Sequence, residues 1–535
     1  MVKNLLLILV FVLLYNLFFY HVQPGIGIGV LVFGLNFFYF LTRNPKTKNI
    51  KLALVFSAIS VIFGSMFGWR DSGVVQISNF IAVSFFLILA FYLYKTEEAF
   101  FLKIINALLI PFYSTISYLT SSLKILNSKD INTDDFKSDN FSSITKGVLI
   151  TIPLVFILFL LLTNADPVFG KLANLLFKDI KERLFISLIL FIFLFVASIT
   201  QIKKAFTDSA NTSKLALGKF YELLIISGSV TILFAAFIFV QFQYLFYKAS
   251  ESNLGSIGIN SQTYSEYVRK GFFELLIVSV IASLIVIYIL KFMHRLQIKQ
   301  KNITQALSIL LILETVLILL SAFQRVNLYI QTHGLTRARG FGMIFFVWLC
   351  LILIILLIEV IKKQTERNIF IAAGTVTILA MLLFNIIDVD GLIATRFKPT
   401  VNKEVDYYYL TNLSSDAYPA WKQVLNEAQI QIPIMYQIKV EDLTAEDGRK
   451  IYWLRTSLMQ LSRRLQYLNE KYTSYKDWQS FRLSEFLAYQ YINQHKQEFG
   501  KLQFFIEQID TIDSKISDTT RGRIRLDRDT QPPLF

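Results

Sequence analysis

What constrains this chain most is the recurrence of apolar runs, each long enough to cross a bilayer. Eleven segments built mainly of Leu, Ile, Val and Phe lie at roughly 4–20, 25–41, 51–69, 73–94, 147–163, 184–200, 221–246, 272–290, 304–323, 341–361 and 369–388. About 20 apolar residues cross the hydrocarbon as a helix, and a helix satisfies its own backbone there. The expected fold is therefore an all-α polytopic membrane protein. It has about 11 transmembrane helices and a mostly helical C-terminal soluble region. Composition agrees, since 17% of the residues are charged where a soluble chain carries about a quarter. The first run lacks a small-x-small cleavage site in "YHVQPG" and is read as an uncleaved span.

Basic residues set the orientation. "TRNPKTKNIK", "QIKKAF", "KFMHRLQIKQK" and "IKKQTERN" all fall on one side of an eleven-span chain. That side is expected to be cytoplasmic, which places the N-terminus inside and the C-terminus outside, in a multi-pass protein of a bacterial inner membrane. The segment 99–119 is apolar but is broken by Lys103 and Pro111. It reads as a helix lying at the cytoplasmic interface, followed by a flexible linker. Four regions follow: a four-span block over 1–95, the interfacial helix and linker over 96–145, a seven-span core over 146–390, and the soluble region over 391–535.

The net charge of +15 calls for no nucleic acid. Residues 391–535 carry 20 basic and 18 acidic side chains, so the excess lies in the membrane part. Membrane lipid is the expected partner of that charge. The single cysteine, Cys350, sits in mid-span and reads as a small core residue. Gly25 and Gly29, like Gly64 and Gly68, are spaced for close helix approach. In the C-terminal region, 446–472 and 478–499 show helical apolar spacing. "IQIPIMYQIKV" reads as a strand, and the end from "DTTRGRIRL" onward reads as disordered.

No phosphate loop, zinc-binding HExxH or nucleophile elbow is present, and no cofactor is expected. Arg70 and Asp71 in "GWRDSG" read as an ion pair capping a span end. The informative residues are polar groups within or beside the spans, because charge at membrane depth is costly and is a functional candidate by default. Glu314 lies near the middle of the ninth span, with Arg325 three turns later on the same face, roughly 16 Å along the axis. Glu274 lies near the outer end of the eighth span, two turns past a helix start that Thr263 and Glu266 mark as a capping box. Tyr267 and Arg269 sit just before it. Tyr329, His333, Arg337 and Arg339 crowd one outer connection, and Asn385, Asp388 and Asp390 close the last span. Glu274, Arg325 and Asp388 are expected to share one outward-facing polar cleft.

Three stretches carry a resemblance: "TYSEYVRKGFFELL", "RVNLYIQTHGLTRAR", and "FNIIDVDGLIATRF" with the following "VDYYYLTNLSSDAYPAW". Together they resemble the shared segments of an uncharacterised bacterial membrane family of the domain-of-unknown-function type, over about 145–425. The pattern covers Tyr267, Arg269, Gly271 and Glu274, then Arg325, Tyr329, Gly334 and Arg339, then Asn385, Asp388, Arg396, Tyr409, Ser414 and Pro419. It departs from the family at Ile386, where a proline is expected. The resemblance implies no reaction. Three functional expectations remain. They are a transporter-like protein using the polar cleft, a membrane enzyme acting on a lipid-linked or envelope substrate, and a scaffold or signalling protein whose C-terminal region binds an envelope partner.

Overall fold

A helix that is apolar on every side must be surrounded by protein or by lipid, and the long helices here meet that description. The computed structural model describes residues 22–41, 43, 46–95, 151, 154–155, 157–165, 169–170, 212–245, 271–293, 296–362, 366–401, 404–437, 444–473 and 477–519. In chain order the membrane helices are α1 (Gly27–Leu41), α2 (Ile50–Ser65), α3 (Gly73–Lys95), α4 (Thr212–Leu245), α5 (Phe272–Met293), α6 (Ile298–His333), α7 (Arg337–Lys362) and α8 (Glu366–Ile386). Helix α6 shows the logic. Leu310, Leu313, Leu317 and Leu320 form an exposed stripe, while Leu311, Thr315, Ile318 and Ala322 are buried on the other side.

Among the described residues, seven helices are long and apolar enough to cross a membrane. They correspond to the expected spans three, four and seven to eleven. The second expected span is a helix of 15 residues, shorter than the rest. The fifth is described only in part, and the first and sixth lie outside the described residues, as do 99–119, the linker after it and the C-terminal end.

Two helix clusters form the membrane part. Helices α1–α3 pack around Phe56, Phe63, Phe86 and Leu89. Helices α4–α7 pack around Phe234, Leu275, Leu311 and Leu353, joined by the stretch 157–165. Helix α8 bridges them. Its Ala373 and Val376 face the second core, and Ile378, Met381 and Leu382 face the first. The glycine spacing in α1 and α2 does what it implied, since a Cβ on Gly64 would lie 3.1 Å from Gly29 Cα.

The helices alternate in direction, so the bundle has two distinct ends. One end carries Lys46, Lys48, Lys51, Lys291, Lys299, Lys301 and Lys362. There, Thr47 donates to the Leu93 carbonyl (2.9 Å) and Gln305 to the Val360 carbonyl (3.0 Å). The other end gathers residues 22–27, 66–73, 165, 271, 325–340 and 386–396, and the C-terminal region docks on it. Lys95 and Thr151, which flank the segment 96–150, both lie at the lysine-rich end.

The C-terminal region starts with the short helix α9 (Val389–Thr395) and a two-residue antiparallel ladder, β1 (Thr400–Val401) with β2 (Glu404–Val405). It continues with α10 (Tyr407–Thr411), α11 (Tyr418–Gln437), α12 (Ala445–Thr473), α13 (Leu483–Gln494), α14 (Lys496–Phe499) and α15 (Leu502–Thr519). The expected strand "IQIPIMYQIKV" is instead the second half of α11, through Gln437. Trp421, Val424, Leu425, Ala428, Ile432 and Met435 repeat at helical spacing and fill the core shared with α12 and α15. Burial of that stripe outweighs the strand preference of the isoleucines. Pro433 lies inside this helix and removes one backbone donor from it, a cost that the buried stripe outweighs.

Candidate functional site

The junction between bundle and C-terminal region is first an apolar layer. Val75 of α3, Phe341 and Ile344 of α7, Ile393 of α9, Leu410 and Leu413 beside α10, and Ala417 and Ala420 pack together. Each large side chain buried here contributes on the order of 1.5–3 kcal/mol before the cost of ordering. Contact therefore supplies the adhesion. The charges around it fix the register.

Arg70 and Asp71 do not pair with each other as the sequence implied; both reach across the junction. Arg70 meets Asp416 at 2.5 Å and Asp388 at 3.4 Å, and donates to the carbonyls of Asn385 (3.2 Å) and Ile386 (3.1 Å). Asp71 accepts from the Ser415 amide (3.0 Å), the Ser415 hydroxyl (2.7 Å) and the Ser484 hydroxyl (3.1 Å). The cause is geometric. The turn between α2 and α3 projects adjacent side chains in different directions, and both find partners from a segment over 300 residues later. Asn79 and Asn385 exchange amide hydrogen bonds of 2.8 Å beneath this layer.

A second tie runs through Arg337 at the start of α7. Its guanidinium grips Asp390 with two bonds, of 2.9 and 2.7 Å, and its backbone amide donates to the Tyr409 hydroxyl at 2.7 Å. Asp390 also accepts from the Ser414 amide at 3.0 Å. Asp388 caps α9 by accepting from Gly391 at 2.8 Å. Burial pushes the Asp388 carboxyl up against the pull of Arg70. At Asp390 burial pushes in the same direction, but the Arg337 hydrogen bond and charge prevail and hold it below the usual carboxylate range.

The expected cleft residues fall into two groups. Arg325, fully buried, donates to the carbonyl of Ala165. A Cβ on Gly271 would collide with both that carbonyl and the Arg325 guanidinium, and Gly271 has φ +98°. Glu274 lies in the first turn of α5 and accepts from the Gly271 amide at 3.0 Å. It therefore caps the helix whose start the sequence placed earlier. Thr263, Glu266, Tyr267 and Arg269 lie outside the described residues. Tyr329 stacks on His333, and Arg339 lies 3.5 Å from the Tyr329 ring centroid while bonding Thr336 at 3.0 Å. Asp388, Asp390, Arg337 and Asn385 belong instead to the junction. Glu314 stands apart in the middle of α6, buried, with one carboxylate oxygen lacking a partner among the described residues. Glu222 of α4, which the sequence reading passed over, takes the Tyr288 hydroxyl at 2.5 Å.

A cavity of about 350 Å³ opens beside the charged ties. Asp71, Thr411 and Ser415 form one side, and Gln460, Arg463, Arg464 and Tyr467 of α12 form the other, with Asn412 also in the lining. Sequence reasoning named Asp71 only as a local capping partner and passed over the others as site residues. Its clue was the charged turn "GWRDSG" between two apolar runs, which was given a local partner. Asp416 went unnoticed two residues after Ser414, inside a motif already singled out. Among the described residues, no group of three or more His, Cys, Asp or Glu side chains is placed to hold a metal ion.

Comparison with known proteins adds a family and no activity. No curated protein and no solved structure matches the chain. Residues 52–424 match a family described as a domain of unknown function, DUF4153. The match begins well before residue 145 and takes in α3 and the turn bearing Arg70 and Asp71, while it ends at Val424 within α11. The protein is an integral membrane protein of unknown activity, and it belongs to the DUF4153 family.

Proposed function

We propose that this protein holds a small polar ligand at the extracytoplasmic face of the membrane, in the cavity at the junction. The observation that carries this reading is the origin of the cavity walls. Asp71 comes from the first helical block, and Gln460, Arg463, Arg464 and Tyr467 come from α12. The site is complete only when bundle and C-terminal region are docked, so occupancy would strengthen docking. The side follows from the lysines at the opposite end. Asn412, exposed in the lining, gives the test. Thermal unfolding of the full chain is measured with cationic, neutral and anionic polar solutes. At least one class is expected to raise the melting temperature of the wild type and leave Asn412→Trp unmoved. If no class does so, the cavity is not a binding site.

A transporter-like reading is favoured by one observation, an oxygen of Glu314 midway along α6 that has no partner among the described residues. A carboxyl there is retained against a large burial cost. On that reading Glu314→Gln abolishes pH-driven solute or proton flux in vesicles while leaving thermal stability unchanged or higher. Unchanged flux removes the reading.

A further inference from the structure

Two guanidinium groups lining the junction cavity form no ion pair among the described residues. Arg463 and Arg464 are consecutive on α12, and both line the cavity. Four arginines elsewhere in the junction and C-terminal region have carboxylate partners: Arg70 with Asp416, Arg337 with Asp390, Arg455 with Asp510 and Arg482 with Glu485. Arg464 donates to the Leu413 carbonyl and lies 5.6 Å from the Trp421 ring centroid. Burial pulls it below the ordinary arginine value, with Asp71 opposing. Arg463 is exposed at the cavity and forms no ion pair among the described residues.

The one carboxylate lining the cavity among the described residues is already committed. Asp71 accepts from Ser415 and Ser484. The Gln460 carbonyl takes the Thr411 hydroxyl at 3.1 Å, which leaves the Gln460 amide as a donor. What the cavity has to offer is therefore cationic and donating. Arginine presents a planar fork that matches tetrahedral oxyanions and carboxylates. Two adjacent guanidinium groups with an amide beside them suit a dianion with three terminal oxygens better than a single carboxylate, which supplies one charge. The volume lies at the small end of ligand pockets.

Building on the cavity's assignment as a ligand site, we propose that it takes a terminal phosphate group, held by Arg463 and Arg464 with Gln460 as a further donor. At the end of the membrane helices such a group comes either from a lipid phosphomonoester headgroup or from a soluble phosphate.

Calorimetric titration of the full chain at fixed ionic strength tests this. The probes are inorganic phosphate, glycerol 3-phosphate and short-chain phosphatidic acid, with glycerol and choline as controls. Phosphate compounds are expected to bind the wild type. Arg463→Gln should weaken them about tenfold, as loss of one charge-assisted contact does. Arg463→Lys should retain most of the affinity, and Asn412→Trp should abolish binding. Because Arg463 is exposed and forms no ion pair among the described residues, its replacement leaves folding intact. Phosphatidic acid binding much tighter than glycerol 3-phosphate assigns the lipid source; equal binding assigns the soluble one. Phosphate binding that ignores Arg463→Gln and Asn412→Trp overturns the proposal, as does no phosphate binding at all. If choline or glycerol binds instead, and Asn412→Trp blocks it, the phosphate inference fails while the ligand site stands. If nothing binds, both fail.

Discussion

Replacing Arg70 by alanine is expected to loosen the C-terminal region from the membrane helices by about 3–5 kcal/mol at pH 8. The size follows from what is left behind rather than from the worth of the pair. Asp416 is buried and Asp388 half-buried, and both face Arg70. Without the guanidinium they are like charges with no counter-ion, and the carbonyls of Asn385 and Ile386 lose a donor. Lysine should restore only part of the loss, because one ammonium cannot serve two carboxylates and two carbonyls in that planar arrangement. Hydrogen exchange reads the effect directly. The amides of Ser414 and Ser415 are locked onto Asp390 and Asp71. In Arg70→Ala they should exchange about two to three orders of magnitude faster than in the wild type. Unchanged protection would mean that the apolar layer alone holds the junction.

The second large effect is one of pH. Asp416 is pushed up to about 7, first by burial; Arg70 opposes this, and Asp388 and Asp71 add to it. A carboxyl whose folded value lies above its unfolded one binds its proton more tightly in the docked state. Its contribution is complete below about 4 and is lost as pH rises through 7. Asp390 has the opposite sign. Its contribution is present above its unfolded value and is lost as pH falls through its lower folded one. The junction should therefore be firmest near pH 4 and weaken steadily as pH rises to about 7. Undocking is expected to become easier by a few kcal/mol, in order of magnitude, between pH 5.5 and 8. Asp416→Asn should flatten that slope. A wild-type junction equally firm at both values would show that Asp416 stays ionised throughout. The two effects are linked, since Arg70→Ala should cost less at pH 5.5, where Asp416 has taken up its proton.

The fold class was legible because long apolar runs admit few structures, and the alternation of basic loops marked one end of the bundle. The polar residues were legible as a set and not as partners. Glu274 was noticed as an acid in a greasy helix, but its role in capping Gly271 depends on where α5 begins, and helix starts are set by local backbone geometry. Arg70 and Asp71 lie next to each other, so a local pair was the economical reading. Their true partners lie in 385–388, 415–416 and 484. No periodicity reports a contact of that sequence separation. The strand expected at "IQIPIMYQIKV" failed for a related reason. β-branched content is a local signal, whereas the stripe from Trp421 to Met435 acquires its meaning only against α12 and α15.

The charged turn of the first block and the segment after the last span form one docked junction. A double-mutant cycle between Arg70 and Asp416 tests it most directly, using Arg70→Ala, Asp416→Asn and the double variant at pH 8. The opening free energy is read from exchange of the Ser414 and Ser415 amides in the full chain. A coupling above about 1.5 kcal/mol is expected, with the double variant recovering part of what Arg70→Ala loses. Effects that add to within about 0.5 kcal/mol, as those of distant independent sites do, would contradict it.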